Sequence, residues 1–215
     1  YHAMFSLGTV VGGGMAALAS ALDIGVAAHL GVTALVLGAF VFWVIALLSH
    51  SVDGAATTEE EPRSTLAERM SVWRDPRTLL IGVVGLSMAL AEGSAGDWLA
   101  IGMVDDRGYS NSEGAIWYVV FVAAMTIGRI IGVPVLDRFG RVPVLFASSL
   151  SALLGLAAVI ISDSIVVQAI AIVLWGLGTA LGFPVAMSAA ADGGPGSAAR
   201  VSAVATLAYG AFLIG

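Results

Sequence analysis

The chain has 215 residues, 59% hydrophobic and 11% charged, with a net charge of −6 and no cysteine. A soluble domain carries roughly a quarter of its residues charged, so a water-solvated fold is excluded, and an acidic chain offers no basic face to nucleic acid. Without cysteine there is no disulfide and no thiolate metal site. His2, His29 and His50 lie far apart near the ends of apolar runs and point to no metal centre.

Apolar runs of about 20 residues, enough to cross about 30 Å of hydrocarbon, recur along the chain. Backbone groups in that layer must bond internally, so the runs are helices; the ten-residue alternation of a membrane β-barrel is absent. The pattern predicts an all-α, polytopic membrane bundle with seven helical segments: 2–22, 29–49, 77–98, 114–136, 143–161, 164–187 and one from about 200. The last is too short to cross before Gly215, and the first begins with no basic leader. The chain therefore reads as a piece truncated at both ends.

The stretch 50–76 is long and polar. Thr65 and Glu68 have the spacing of a capping box, and Leu66, Met70 and Trp73 share one helical face. A short amphipathic helix over 65–75, lying on the membrane surface, is expected, preceded by the solvated run Glu59–Glu60–Glu61. The chain has no lysine, so arginine sets orientation. Arg63, Arg69, Arg74, Arg77, Arg138, Arg141 and Arg200 fall in alternate connections, while the intervening ones hold only Arg107. By the positive-inside rule, loops 50–76, 137–142 and 188–199 are expected in the cytoplasm.

Three glycine pairs sit four residues apart on predicted helices: Gly8 and Gly12, Gly128 and Gly132, Gly178 and Gly182. Such spacing lets helix backbones approach closely. Around Gly176 and Gly178 no strand precedes the glycines, so no dinucleotide loop is expected. At Asp137-Arg138-Phe139-Gly140-Arg141 a carboxylate and two guanidiniums meet in a turn, and charge-assisted hydrogen bonds there can pin helix ends together.

The stretch from Gly132 to Arg141 resembles the loop signature of the major facilitator superfamily in its second copy. Asp137, Arg138, Gly140 and Arg141 match; Gly132 lies one residue early, and Val142 stands where a further basic residue is usual. His2 to Gly8 resembles the start of helix five in fucose-permease-like members, and Ala91 to Trp98 resembles their helix seven. The resemblance implies that the chain covers helices five to eleven of twelve. On that map 1–49 is the last two helices of an N-terminal bundle, 50–76 the central cytoplasmic loop, and 77–215 a truncated C-terminal bundle. It also implies that segments two and five are peripheral, which agrees with their polar content: only Thr33 from Gly31 to Leu48 and only serines from Pro143 to Ile161.

Intramembrane ionisable groups normally face a bundle interior or a water cavity. Counting 1.5 Å per residue from the predicted ends puts Glu92 in the outer half of its helix and Arg129 in the inner third of its own. The count separates them by over about 10 Å and argues against a direct pair, leaving Arg129 to reach toward the turn at Asp137. Met88, Met125, Trp175 and Tyr209 fall near the midplane, where transporter sites lie. Together with Glu92 they are the candidate substrate and proton pathway; Arg129, Gly132, Asp137, Arg138, Gly140 and Arg141 form the candidate conformational switch.

The expected activity is secondary transport of a small-molecule solute across the plasma (inner) membrane by alternating access. Protons are the expected coupling ion if Glu92 titrates, and the lipid bilayer is the other partner. No catalytic group, cofactor or metal is expected. The alternative is a non-transporting scaffold or receptor on a transporter-like bundle. A membrane enzyme would need polar catalytic groups clustered at one depth, and the sequence has none.

Overall fold

The computed structural model describes residues 2–49, 70–192 and 196–214. They form seven helices: α1 (His2–Ala21), α2 (Val26–Ser49), α3 (Pro76–Asp105), α4 (Asn111–Phe139), α5 (Arg141–Ile161), α6 (Ile165–Ala191) and α7 (Ser197–Phe212). No strand occurs among the described residues. Five of the helices, α2 to α6, are long and apolar enough to cross a bilayer. The chain is a multi-pass helical membrane protein.

Each predicted segment coincides with a helix, but α3 runs well past its predicted end at Trp98. A π-helical turn over Ala95–Leu99 lets it continue through Ala100–Asp105. Its start is fixed by Asp75, whose carboxylate accepts from the backbone amides of Arg77 and Thr78, with Pro76 in the first turn where no amide is needed. Of the expected surface helix, residues 65–69 lie outside the described residues. From Met70 the chain is helical for two residues and then makes a tight 3₁₀ turn over Val72–Arg74. Val72, not Trp73, is the buried residue there, packed on Ala199 and Ala203 of α7.

The helices pack α5 on α6, α3 on α7, α1 on α4 and α4 on α6. Small residues set the spacing. A Cβ at Gly176 would come within 2.4 Å of the Phe121 carbonyl on α4, and one at Gly178 within 2.4 Å of the Ala152 amide on α5. One turn of α6 thus touches backbone on two sides. Gly128 and Gly132 perform the same service for α4, meeting Ala180 and Leu181. Gly8 and Gly12 do not: both face open space, and α1 meets α4 at Gly13, against Val119. Spacing alone cannot say which face of a helix a glycine pair presents.

Burial separates the helices as their polarity predicts. None of the apolar window of α2 is buried and only 17% of that of α5, against 44% for α4 and 56% for α6. At the arginine-poor ends, Arg107 has a local task. It donates to the carbonyls of Val159, Ile160 and Ser162 and pairs with Asp163. It therefore caps the C-terminus of α5, whose last carbonyls lack helical partners.

The backbone contact at Gly176 predicts a large cost for a single methyl. Gly176→Ala is expected to lower unfolding stability in detergent by about 1–3 kcal/mol through overpacking, whereas Gly12→Ala costs nothing measurable. Equal stabilities of the two variants would contradict this packing.

Candidate functional site

Proline has no amide hydrogen, so Pro184 cannot donate to the carbonyl four residues before it, and its ring crowds that carbonyl. The residue is Ala180. There α6 breaks, between Ile165–Thr179 and Gly182–Ala191, with Ala180 and Leu181 in a turn and Ala180 wholly buried. A freed carbonyl deep in a bundle needs another donor. Arg129 on α4 supplies it, donating Nε to the Ala180 oxygen at 3.2 Å.

The same guanidinium reaches α3. Its Nη2 lies 3.0 Å from both carboxylate oxygens of Glu92. Arg129 and Glu92 are only 5% and 13% exposed at their side chains. Three spanning helices converge on one cation: α4 provides it, α3 neutralises it and α6 offers the carbonyl that Pro184 released. Arginine suits the position because its planar fork serves separate acceptors in fixed directions while its charge persists.

This overturns the expectation that Glu92 and Arg129 are too far apart, and that Arg129 turns toward Asp137. The depth count took Trp98 as the end of its helix. Since α3 continues to Asp105, Glu92 stands near the midpoint of a 30-residue span and closer in depth to Arg129. The long arginine side chain covers the remaining distance by pointing into the bundle rather than to its end.

Around the pair the midplane residues divide. Met88 and Met125 are buried in packing, Met88 against the Gly182 backbone. Trp175 is also buried, edge-on to Phe121 at 5.2 Å, and its indole N–H donates to the Ala91 carbonyl beside Glu92. Tyr209 stands apart from these three. It is 60% exposed on α7 and pairs with Phe183, which follows the α6 break, at 5.5 Å. Phe183 carries no sequence signal beyond hydrophobicity, and only its partner reveals it.

At the arginine-rich ends Gly140 has φ +79°, a conformation glycine adopts without strain, and so permits the reversal from α4 to α5. Arg141 then pairs with Asp192 at the end of α6 and donates to the Ser188 hydroxyl at 3.0 Å. Arg200 donates to the Ala190 and Asp192 carbonyls, capping the same helix end. Arg138 stacks on the Phe139 ring at 5.4 Å. Asp137 is exposed and makes no hydrogen bond or ion pair among the described residues. The charged turn thus fastens α5 to α6 through Arg141, and Asp137 is not its partner. Asp192 and Ser188 were missed because nothing local in the sequence distinguishes them from any polar helix end.

The hydrogen bond from Arg141 holds the Asp192 carboxyl below its ordinary value of 3.8. A carboxyl lowered in the fold stabilises it fully above the ordinary value, and that contribution disappears as pH falls through the lowered one. The stability difference between the native chain and Asp192→Asn is therefore expected to persist at pH 7 and to close well below pH 3.8. Thermal unfolding at both ends of that range measures it; a gap independent of pH would contradict the latch.

The chain matches the family model of the Major Facilitator Superfamily over residues 1–215. It is 31% identical over 222 residues to an uncharacterized transporter of Sinorhizobium fredii, covering 100% of this chain and 55% of that protein. It is also 31% identical over 220 residues to an uncharacterized MFS-type transporter of Yersinia pestis, covering 100% of this chain and 54% of that one. The chain thus spans about half the length of the curated relatives it matches. No solved structure matches it. Spanning helices packed through glycine contacts, a charged turn carrying the loop signature and a family match over the whole length agree: the chain belongs to the Major Facilitator Superfamily.

Proposed function

We propose that this chain is part of a secondary active transporter that moves a small solute by alternating access across the plasma (inner) membrane, its arginine-rich connections facing the cytoplasm. The observation that carries the reading is the buried Glu92–Arg129 pair, seated on the carbonyl freed at the break in α6. Charges at this depth cost about 2.5–3.5 kcal/mol each to insert. Discontinuous helices with unsatisfied backbone near the midplane are where transporters bind solutes and ions. The relatives' printed names as transporters support the same reading.

The pair gives proton coupling a physical form. A proton on Glu92 removes the negative partner and leaves Arg129 charged in a low-dielectric site, which is strongly unfavourable. The helices must then rearrange to give the guanidinium another acceptor or water. Protonation and helix position are coupled through that one side chain. Exposed Tyr209 and half-buried Phe183, an aromatic pair, are the proposed solute contacts. Met88, Met125 and Trp175 form the wall behind Glu92, and Asp137 to Arg141 with Gly132 form the hinge that α4 and α5 share.

The test uses the full-length protein in proteoliposomes, screened with sugars and organic acids for solute-driven pH change. Its orientation is read by impermeant thiol labelling of cysteines placed at Ser110 and Ser197, expected on opposite sides. Glu92→Gln is expected to abolish proton-driven accumulation while solute exchange continues. Accumulation that survives the substitution would remove proton coupling, and a protein that moves none of the panel would favour the scaffold reading.

A further inference from the structure

A cavity of about 460 Å³ opens between α4, α5 and α6 toward their arginine-rich ends. Its wall is nearly all apolar, from Gly128 and Leu177 at the inner end to Phe139 and Pro143 at the mouth. Along α4, Gly128 to Phe139 measures about 16 Å at 1.5 Å per residue, close to the hydrocarbon depth of one leaflet, half of about 30 Å. Phe139 and Ile131 are about half exposed, so the cavity opens on an exposed face of these helices.

A cation lies beside the mouth. The Arg138 guanidinium lies over the ring of Phe139, which itself lines the cavity, and no carboxylate bonds it among the described residues. Pro143 and Val144, from the first turn of α5, also line the cavity. That helix start has no side-chain cap, so its amides add positive character. Two carboxylates lie on the neighbouring helix ends. Asp192 is engaged by Arg141, and Asp137 borders a separate recess with Leu136 and Pro184.

We infer that this cavity binds an anionic phospholipid of the surrounding leaflet, one acyl chain lying between α4, α5 and α6 and the phosphate meeting Arg138. The two requirements of such a ligand, an apolar slot of leaflet depth and a free cation at headgroup level, coincide at this place among the described residues. Basic pockets between spanning helices commonly hold anionic headgroups. The proposal needs only that the chain spans a membrane, and stands whether or not the protein transports a solute.

The test compares lipid retention by the full-length protein, purified from vesicles of equal parts phosphatidylglycerol and phosphatidylcholine and weighed intact by native mass spectrometry. The native protein is expected to retain phosphatidylglycerol preferentially. Arg138→Gln is expected to lower that preference about fivefold, the worth of one arginine at a membrane surface. Ala147→Trp, which fills the slot, is expected to lower retention of the bound lipid with Arg138 intact. Retention without headgroup preference, or preference unchanged in Arg138→Gln, overturns the assignment of the phosphate. Retention unchanged in Ala147→Trp overturns the assignment of the chain to the cavity.

Discussion

Everything distinctive in this bundle depends on one missing hydrogen. Pro184 cannot donate to Ala180, and in a bilayer no water is at hand to take its place. The carbonyl can be left alone at a cost of about 1–3 kcal/mol, or a neighbouring helix can supply a donor. Arg129 supplies one. Having brought a permanent charge into the bundle, the chain must neutralise it, and Glu92 does so with both oxygens. The proline, arginine and glutamate are a sequence of linked requirements, each created by the one before.

The packing around this centre follows from the same need for closeness. Nε of Arg129 reaches Ala180 because Gly128, the preceding residue, lets α4 approach the break in α6. Gly182, just beyond the break, admits Met88 of α3, one helical turn before Glu92. Without those glycines the three helices stand too far apart for one guanidinium to join them. Association in lipid has little hydrophobic drive between helices and relies on such contacts. The charged latch at the arginine-rich ends, Arg141 with Asp192, ties α5 to the same helix α6 beyond its break. The two halves of α6 answer to different neighbours: the first packs on α4 and α5, the second mainly on α3 and α7.

The sequence carried the bundle because hydropathy reports which residues lie in lipid, and the seven segments needed nothing more. Arginine is scarce enough here for each one to count, which is why the alternation of arginine-rich and arginine-poor connections stands out in the sequence. The sequence did not carry the pair. A π-helical turn at Ala95–Leu99 leaves no mark on hydropathy, so a tryptophan at position 98 looked like the end of α3 and the depth of Glu92 was misread. Pro184 held a signal that went unread: an interior proline names its own orphaned acceptor, Ala180, and a buried arginine on another helix is the natural donor. The latch was harder. Arg141 was visible as part of a charged turn, but its partner Asp192 lies 51 positions away, and only the fold brings them together. Asp137, adjacent in sequence to the other charges, was for that reason the wrong partner to expect.

The central claim is that Glu92 and Arg129 act as one buried unit, and a double-mutant cycle on stability tests it most directly. Glu92→Gln and Arg129→Gln each leave an uncompensated charge, and each is expected to cost about 3–5 kcal/mol in detergent unfolding. The double variant buries two neutral amides instead, and is expected to cost clearly less than the sum of the two, with a coupling of at least about 1 kcal/mol. Strictly additive losses would mean that the two side chains do not interact, and would contradict the account.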